Sequence, residues 1–208
     1  MSTRVARTLT LAALCGLVVG TPANPAQAAC TYSVGEDPVK VEWTAFKLTE
    51  KLGVTGTFNT TTLSGPTEAA SLVDLAKGLS MEIDGTSIES DNPGRNATIS
   101  QFFFQEFASS PNITGKVESV DGDDSKGTLK IAVTMNGATK AVPFAYTISK
   151  DHGVEATATI DMMDFAMQKP FDSLHRACEE QHTGEDGVSK TWTDVVLKLS
   201  GKFAESCN

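Results

Sequence analysis

Apolar and polar residues alternate with a period of two in run after run of this chain, and nothing else in it constrains the fold as strongly. Val39, Val41, Trp43 and Ala45 alternate with Lys40, Glu42 and Thr44. Leu79, Met81 and Ile83 follow the rule, as do Leu129, Ile131, Val133 and Met135. So do Val142, Phe144, Tyr146 and Ile148, then Val154, Ala156, Ala158 and Ile160, and finally Val195, Leu197, Leu199, Gly201 and Phe203. Successive side chains of an extended strand point to opposite faces, so each run predicts a strand with one apolar and one wet face. Asn136-Gly137 and Asp121-Gly122 are hairpin-turn signals, and His152-Gly153 reads similarly. Strands of this kind must close on themselves or find a second sheet. The expected fold class is all-β, an antiparallel barrel of about eight strands, a size whose interior side chains just fill or which holds one small ligand.

Two segments break the alternation. Residues 67–77 place Ala69, Leu72, Val73 and Ala76 at helical spacing, with Gly78 as the stop. Residues 92–107 offer Asn92 as N-cap, Pro93 at the first helical position, and Ile99, Phe103 and Phe107 along one face. A third short helix is expected over 171–181. There is no internal repeat and no linker.

The start of the chain has a separate logic. Arg4 and Arg7 precede an apolar stretch from Leu9 to Gly20 that is too short to span a bilayer, and Ala26-Gln27-Ala28 is a small-x-small cleavage site. Residues 1–28 read as a secretory signal peptide and 29–208 as one domain, destined for the periplasm or the exterior of a bacterium. The alternatives are an uncleaved anchor and a lipidated Cys30, the latter disfavoured by Gln27 where an aliphatic residue is expected. After cleavage, Cys30, Cys178 and Cys207 remain, and an oxidising compartment permits one disulfide. If the first and last strands pair antiparallel, Cys30 and Cys207 lie side by side, so that pairing is expected. Cys178 is then free or joined to another molecule. With 17 basic against 26 acidic residues and a net charge of −9, the chain lacks the basic surface of a nucleic-acid binder. The same charge disfavours docking on anionic lipid heads.

The middle of the chain resembles the YceI family. The resemblance rests on Ser87-Ile88, Arg95, Phe103-Phe104, Pro111, Gly137-Ala138-Thr139-Lys140 and Asp164-Phe165, and it runs from about residue 39 to 204. It implies a lipocalin-like barrel in the periplasm that holds a long isoprenoid or other amphiphilic chain in an apolar pore, and family members can dimerise. Asn96 stands where an aspartate is usual, Ala166 where a glycine is usual, and Glu42-Trp43-Thr44 where the family often has His-Ser. Residues 170–187 read as a helix-bearing insertion.

Candidate pore-lining residues are Trp43, Phe58, Met81, Ile83, Phe103, Phe107, Met135, Phe144, Met162, Phe165 and Leu197. From periodicity alone they fill a solid core; the resemblance implies that they line a cavity. Arg95, at the start of the Phe-rich helix, is read first as half of an ion pair fixing that helix. Its second reading is a partner for a phosphate or carboxyl head group. Lys140 reads as a solvated hairpin lysine. His175, Cys178 and His182 form an H-x2-C-x3-H pattern that helical spacing would bring towards one face, a soft-ligand set for zinc or copper if they converge. No nucleophile elbow, phosphate loop or zincin motif is present, so no catalysis is expected. The expected function is a secreted binder of a hydrophobic small molecule: a polyisoprenoid, an isoprenoid quinone, or a fatty acid or amide. A metal- or redox-linked protein using the 175–182 cluster is the alternative, and no resident cofactor is expected.

Overall fold

A computed structural model describes residues 30–37 and 39–207, so the expected signal peptide lies outside the described residues. The core of the fold is a curled antiparallel sheet. It begins with β1 (Cys30–Val34) and β2 (Lys40–Lys47), then β3 (Leu52–Phe58) and β4 (Thr61–Ser64). Short strands β5 (Glu68–Ala69), β6 (Ser80–Asp84) and β7 (Ile88–Glu89) follow. The remainder is a meander: β8 (Asn112–Gly122), β9 (Lys126–Met135), β10 (Ala138–Ile148), β11 (Gly153–Asp161) and the long β12 (Thr191–Cys207). Three helices are added, α1 (Leu72–Lys77), α2 (Pro93–Phe102) and α3 (Gln168–Ala177).

The order across the sheet is β4-β6-β8-β9-β10-β11-β12-β2-β3-β7. With β1 and β5, which pair off this path, the described residues form twelve strands, where alternation predicts about eight. The surplus comes from kinks. β3 and β4 are two halves of one ribbon, and β6 and β7 are two halves of its partner: Phe58 pairs with Ile88 and Thr61 with Ile83. Hydrogen bonds from Asn59 N–H to the Ser87 carbonyl and from Asp84 N–H to the Thr60 carbonyl span the break. The two ends of the strand path therefore meet, and the apolar face is turned inward. β1 likewise prolongs the line of β2 along β12, with Val34 opposite Phe203 and Cys30 opposite Cys207. The expected disulfide follows from that register: Cys30 and Cys207 are bonded, with Cα atoms 4.0 Å apart.

Alternation reads the faces well. In β10, Val142, Phe144 and Tyr146 are buried and their neighbours exposed; in β11 the same holds for Ala156, Ala158 and Ile160. Asn136 (φ 50°) and Gly137 (φ 79°) make the β9–β10 turn, where both residues must take positive φ. Two of the three helices start elsewhere than expected. The helix predicted over 67–77 begins only at Leu72, because Glu68 and Ala69 pair with Ser33 and Tyr32 of β1 and Ser71 then caps Asp74 N–H. α2 starts as read, with the Asn92 side chain accepting from Arg95 N–H at 2.9 Å. The third helix begins at Gln168, before the expected 171, and ends at Ala177, with a separate single turn over Glu180–His182.

Two glycines are required by close approach. A Cβ on Gly56 would stand 2.3 Å from the indole of Trp43, its cross-strand partner. On Gly85 it would stand 2.2 Å from the ring of Phe104. Both aromatic rings lie flat on bare backbone, which lets them reach the interior.

Candidate functional site: a two-chambered lumen

The interior is not solid. A cavity of about 790 Å³ occupies the end of the barrel covered by α2 and α3, and a smaller one of about 170 Å³ lies beyond it toward β1 and α1. They are called the upper and lower chambers below. A volume of this size is that of a site for a ligand of drug size or larger.

Of the residues expected on the wall, Trp43, Phe58, Phe103, Met135 and Met162 line the upper chamber, Met81 and Phe144 the lower, and Ile83 and Leu197 both. Phe107 and Phe165 line neither, which corrects the expectation for them. The cause is Asn136 at the hairpin tip. Its Oδ1 accepts from Ala108 N–H at 2.7 Å, and its Nδ2 donates to the Ala166 carbonyl at 2.8 Å. One side chain thus ties both segments down beneath the hairpin. Phe107 packs against Phe103 and Phe104, with ring centroids 5.5 and 5.4 Å away, and Phe165 is fully buried.

Several wall residues escape sequence reading. The insertion at 170–187 supplies Phe171, Leu174, Cys178, Gln181 and His182, so it is a cover for the mouth rather than a decoration. Trp192 lines the chamber within an irregular stretch of β12, where the four steps from Thr191 to Val195 oppose only the two from Lys47 to Ala45 of β2, a bulge that breaks strict alternation locally. Its indole N–H donates to the Leu48 carbonyl at 2.8 Å. The apolar spacing of Phe171, Leu174 and Ala177 was the available signal for the cover; nothing in the sequence announces the bulge.

The mouth is polar and its charge is one-sided. Asn92, Gly94, Leu52 and Gln181 are exposed on its rim. Lys47 and Arg95 are on the wall, and no aspartate or glutamate is, although the chain carries 26 of them. Lys47 Nζ donates to the Gln181 carbonyl at 3.0 Å. The ion pair first expected for Arg95 is not formed: no carboxylate of a described residue lies within salt-bridge distance, and its half-buried guanidinium is not hydrogen-bonded to any described residue. The turn before it is held by other means. Glu89 accepts from Ser90 N–H, Asp91 N–H and Asn96 Nδ2, which lowers its carboxyl pKa, the Asn96 bond contributing most. Asn96 Oδ1 in turn accepts from the Ser90 hydroxyl. An aspartate at 96 would set a second carboxylate against Glu89; the amide donates instead. Lys140 is exposed on β10, away from the lumen.

His175, Cys178 and His182 do not converge as a metal set. α3 ends before Cys178, so the three do not share one helical face, and no choice of one ligand atom from each brings all three within 4.8 Å. The imidazoles meet at a hydroxyl instead, with Thr191 Oγ1 2.8 Å from His175 Nδ1 and 2.7 Å from His182 Nδ1. With one proton to give, the hydroxyl donates to at most one ring, so the other carries its proton on Nδ1. Burial, with smaller contributions from Lys47 and His175, pulls the pKa of His182 down to about 4. Burial pushes the Cys178 thiol up, so at neutral pH it stays protonated and unreactive.

The architecture can be matched to known proteins. No curated protein matches the chain in sequence. Among solved structures, BcnA of Burkholderia cenocepacia is similar, with a TM-score of 0.58, 17% identity, and 82% of this chain and 99% of that one covered. A polyisoprenoid binding domain from Saccharophagus degradans, described as implicated in plant cell wall breakdown, gives a TM-score of 0.56 at 15% identity, covering 88% of this chain and 100% of that one. The YCEI protein of Campylobacter jejuni gives 0.50 at 20% identity, covering 74% and 85%. These likenesses establish the fold. The sequence pattern of the YceI-like domain extends over residues 32–202, the curled sheet apart from the outer ends of β1 and β12 together with the helices that cover the upper chamber, and the chain belongs to that family.

Proposed function

We propose that this protein is a secreted carrier, periplasmic or extracellular, which hides the hydrocarbon tail of a long-chain amphiphile in the upper chamber and performs no reaction on it. A polyisoprenoid, an isoprenoid quinone, and a fatty acid or amide all have the required form. One observation carries the reading: an apolar cavity of about 790 Å³ whose mouth bears Lys47 and Arg95 and whose wall bears no carboxylate. The tail lies among Trp43, Val54, Phe58 and Met135, and the head stays at the rim. Each buried methylene contributes roughly 0.8 kcal/mol, so ten contribute about 8 kcal/mol before ordering costs, near micromolar affinity. The Saccharophagus domain, which binds polyisoprenoid, supports the tail class. The Arg95 guanidinium has no partner among the described residues, which suits it to a phosphate or carboxylate head.

Native mass spectrometry of protein incubated with lipid and quinone extracts tests the carrier reading. A bound amphiphile of one or a few masses is expected; a protein that takes up nothing from either extract overturns it. Arg95→Gln is expected to weaken binding of a fatty acid about tenfold while leaving the matching fatty alcohol unaffected, measured by quenching of Trp43 and Trp192. The size follows from the loss of one charge-assisted hydrogen bond.

A further inference from the structure

The two chambers share five wall residues, Val41, Ile83, Ile113, Val133 and Leu197. Ile83, Ile113 and Val133 lie on the neighbouring strands β6, β8 and β9, and Leu197 and Val41 on the neighbouring strands β12 and β2. The five therefore face one another from two sides of the barrel as a girdle. All are aliphatic, and each is buried or half-buried. These five side chains border both chambers.

The lower chamber differs from the mouth in kind. Its one charged wall residue is Lys202, 4.0 Å from Asp151. It exists because its wall is built from small residues at several positions. Ala156 is almost fully buried yet leaves space before it, and Ala76 of α1 is on the wall. Gly115 and Gly201 line it too, where a Cβ would stand 3.3 Å from an Ile131 methyl and 3.2 Å from a Val39 methyl. Beyond that exposed ion pair and the hydroxyls of Ser80, Thr114 and Ser200 the wall is apolar, which suits a hydrocarbon end better than a head group. At about 30 Å³ for a water-sized group, roughly five methylenes fit in its volume.

We propose that the lower chamber receives the far end of the ligand's tail, that the five-residue girdle is the passage to it, and that its depth sets the chain length this protein prefers. The inference rests on the carrier reading and adds a length limit to it. Leu, Ile and Val at the girdle re-pack by rotamer change, so a tail can part them, whereas a tail longer than the lower chamber, whose far end is lined by Val34 of β1 and Phe203 of β12, gains no further burial there.

The test is a series of straight-chain fatty acids from decanoate to docosanoate, titrated against wild type, Ala156→Leu and Phe144→Leu by quenching of Trp43 and Trp192. In the wild type, affinity is expected to rise about fourfold per added methylene until the lower chamber is full, and then to level off. Ala156→Leu fills the chamber. It is expected to level off at shorter acids and to bind the longest tenfold or more weakly, with decanoate unchanged. Phe144→Leu enlarges the chamber and is expected to move the plateau to longer acids. Opposite shifts cannot both arise from general loosening, and the second variant stands alone if the first does not fold. Unchanged plateaus in variants that bind decanoate normally overturn the length limit and leave the carrier reading intact. A wild type that binds none of the acids overturns the length limit, and one that also takes up nothing from the lipid and quinone extracts overturns the carrier reading with it.

Discussion

His182 faces the lumen in its neutral form, and that gives the protein a stability that depends on pH. Its pKa is near 6.5 in the unfolded chain and about 4 in the fold. Between those values the unfolded state binds more protons than the native state, so stability falls as the pH drops from 6.5 toward 4 and the loss is complete below the lower value. The full shift corresponds to about 3 kcal/mol, and solvent at a half-buried site reduces it to roughly 1–3 kcal/mol. Urea unfolding at pH 7 and pH 4.5 should show this loss in the wild type and a much smaller one in His182→Gln. Carboxylates held low by hydrogen bonds, such as Glu89 and Asp123, act in a separate, lower window, because their contribution is lost only as the pH falls through their depressed values. Ala166 is a second residue-scale case. It sits at φ 55° in the left-handed region, at the position where the family usually has glycine. Ala166→Gly is expected to raise the stability by about 0.5–1 kcal/mol, since the side chain is penalised there and the residue is exposed. A denaturation midpoint that falls would contradict this.

At the scale of elements, the strand most dependent on covalent help is β1. It has five residues, pairs with the end of β12 and with the two-residue β5, and is bounded by the Cys30–Cys207 disulfide. The bond closes a loop with a sequence separation of 177, for which chain entropy predicts about 5 kcal/mol at most, less whatever structure the reduced unfolded chain retains. The double variant Cys30→Ser/Cys207→Ser is expected to lose about 2–5 kcal/mol by chemical denaturation. Amide exchange should quicken first in β1 and β5, while β8 to β11 stay protected. Elements also differ in how far their sequences reveal them. The strands β9 to β12 were legible, because long runs with one wet face alternate cleanly; β8 was not read, since the irregularity between Val117 and Ser119 breaks its alternation. β4, β5 and β7 were not: two to four residues cannot display a period, and each exists only because a neighbour supplies its hydrogen bonds. The same competition moved the start of α1, since pairing with β1 took Glu68 and Ala69 out of a segment whose spacing is helical.

At the scale of the molecule, a ligand that binds the closed lumen and not the unfolded chain must stabilise the fold by mass action. Saturation at a hundred times the dissociation constant adds about 2.7 kcal/mol. A melting temperature that rises with the concentration of a bound fatty acid, with a blue shift of tryptophan emission, is expected. The emission reports the site directly, because both tryptophans of the chain line the upper chamber. A bound acid that leaves the melting temperature unchanged would bind the folded and unfolded chains equally, which contradicts a site in the closed lumen.

The sequence alone determined which face of each long strand turns inward, because period two is a local property of the strand. That Cys30 meets Cys207 was conditional on the first and last strands pairing, a contact between distant residues that the tertiary structure supplied. The sequence could not determine whether the inward faces touch. Periodicity states the direction of a side chain, not the distance to the wall opposite, so Phe165 and Met162 read alike although one is packed solid and the other faces a cavity. That distance is set by the curl of the whole sheet, by the Asn136 clamp and by the 170–187 cover, and these depend on contacts between residues far apart in the chain.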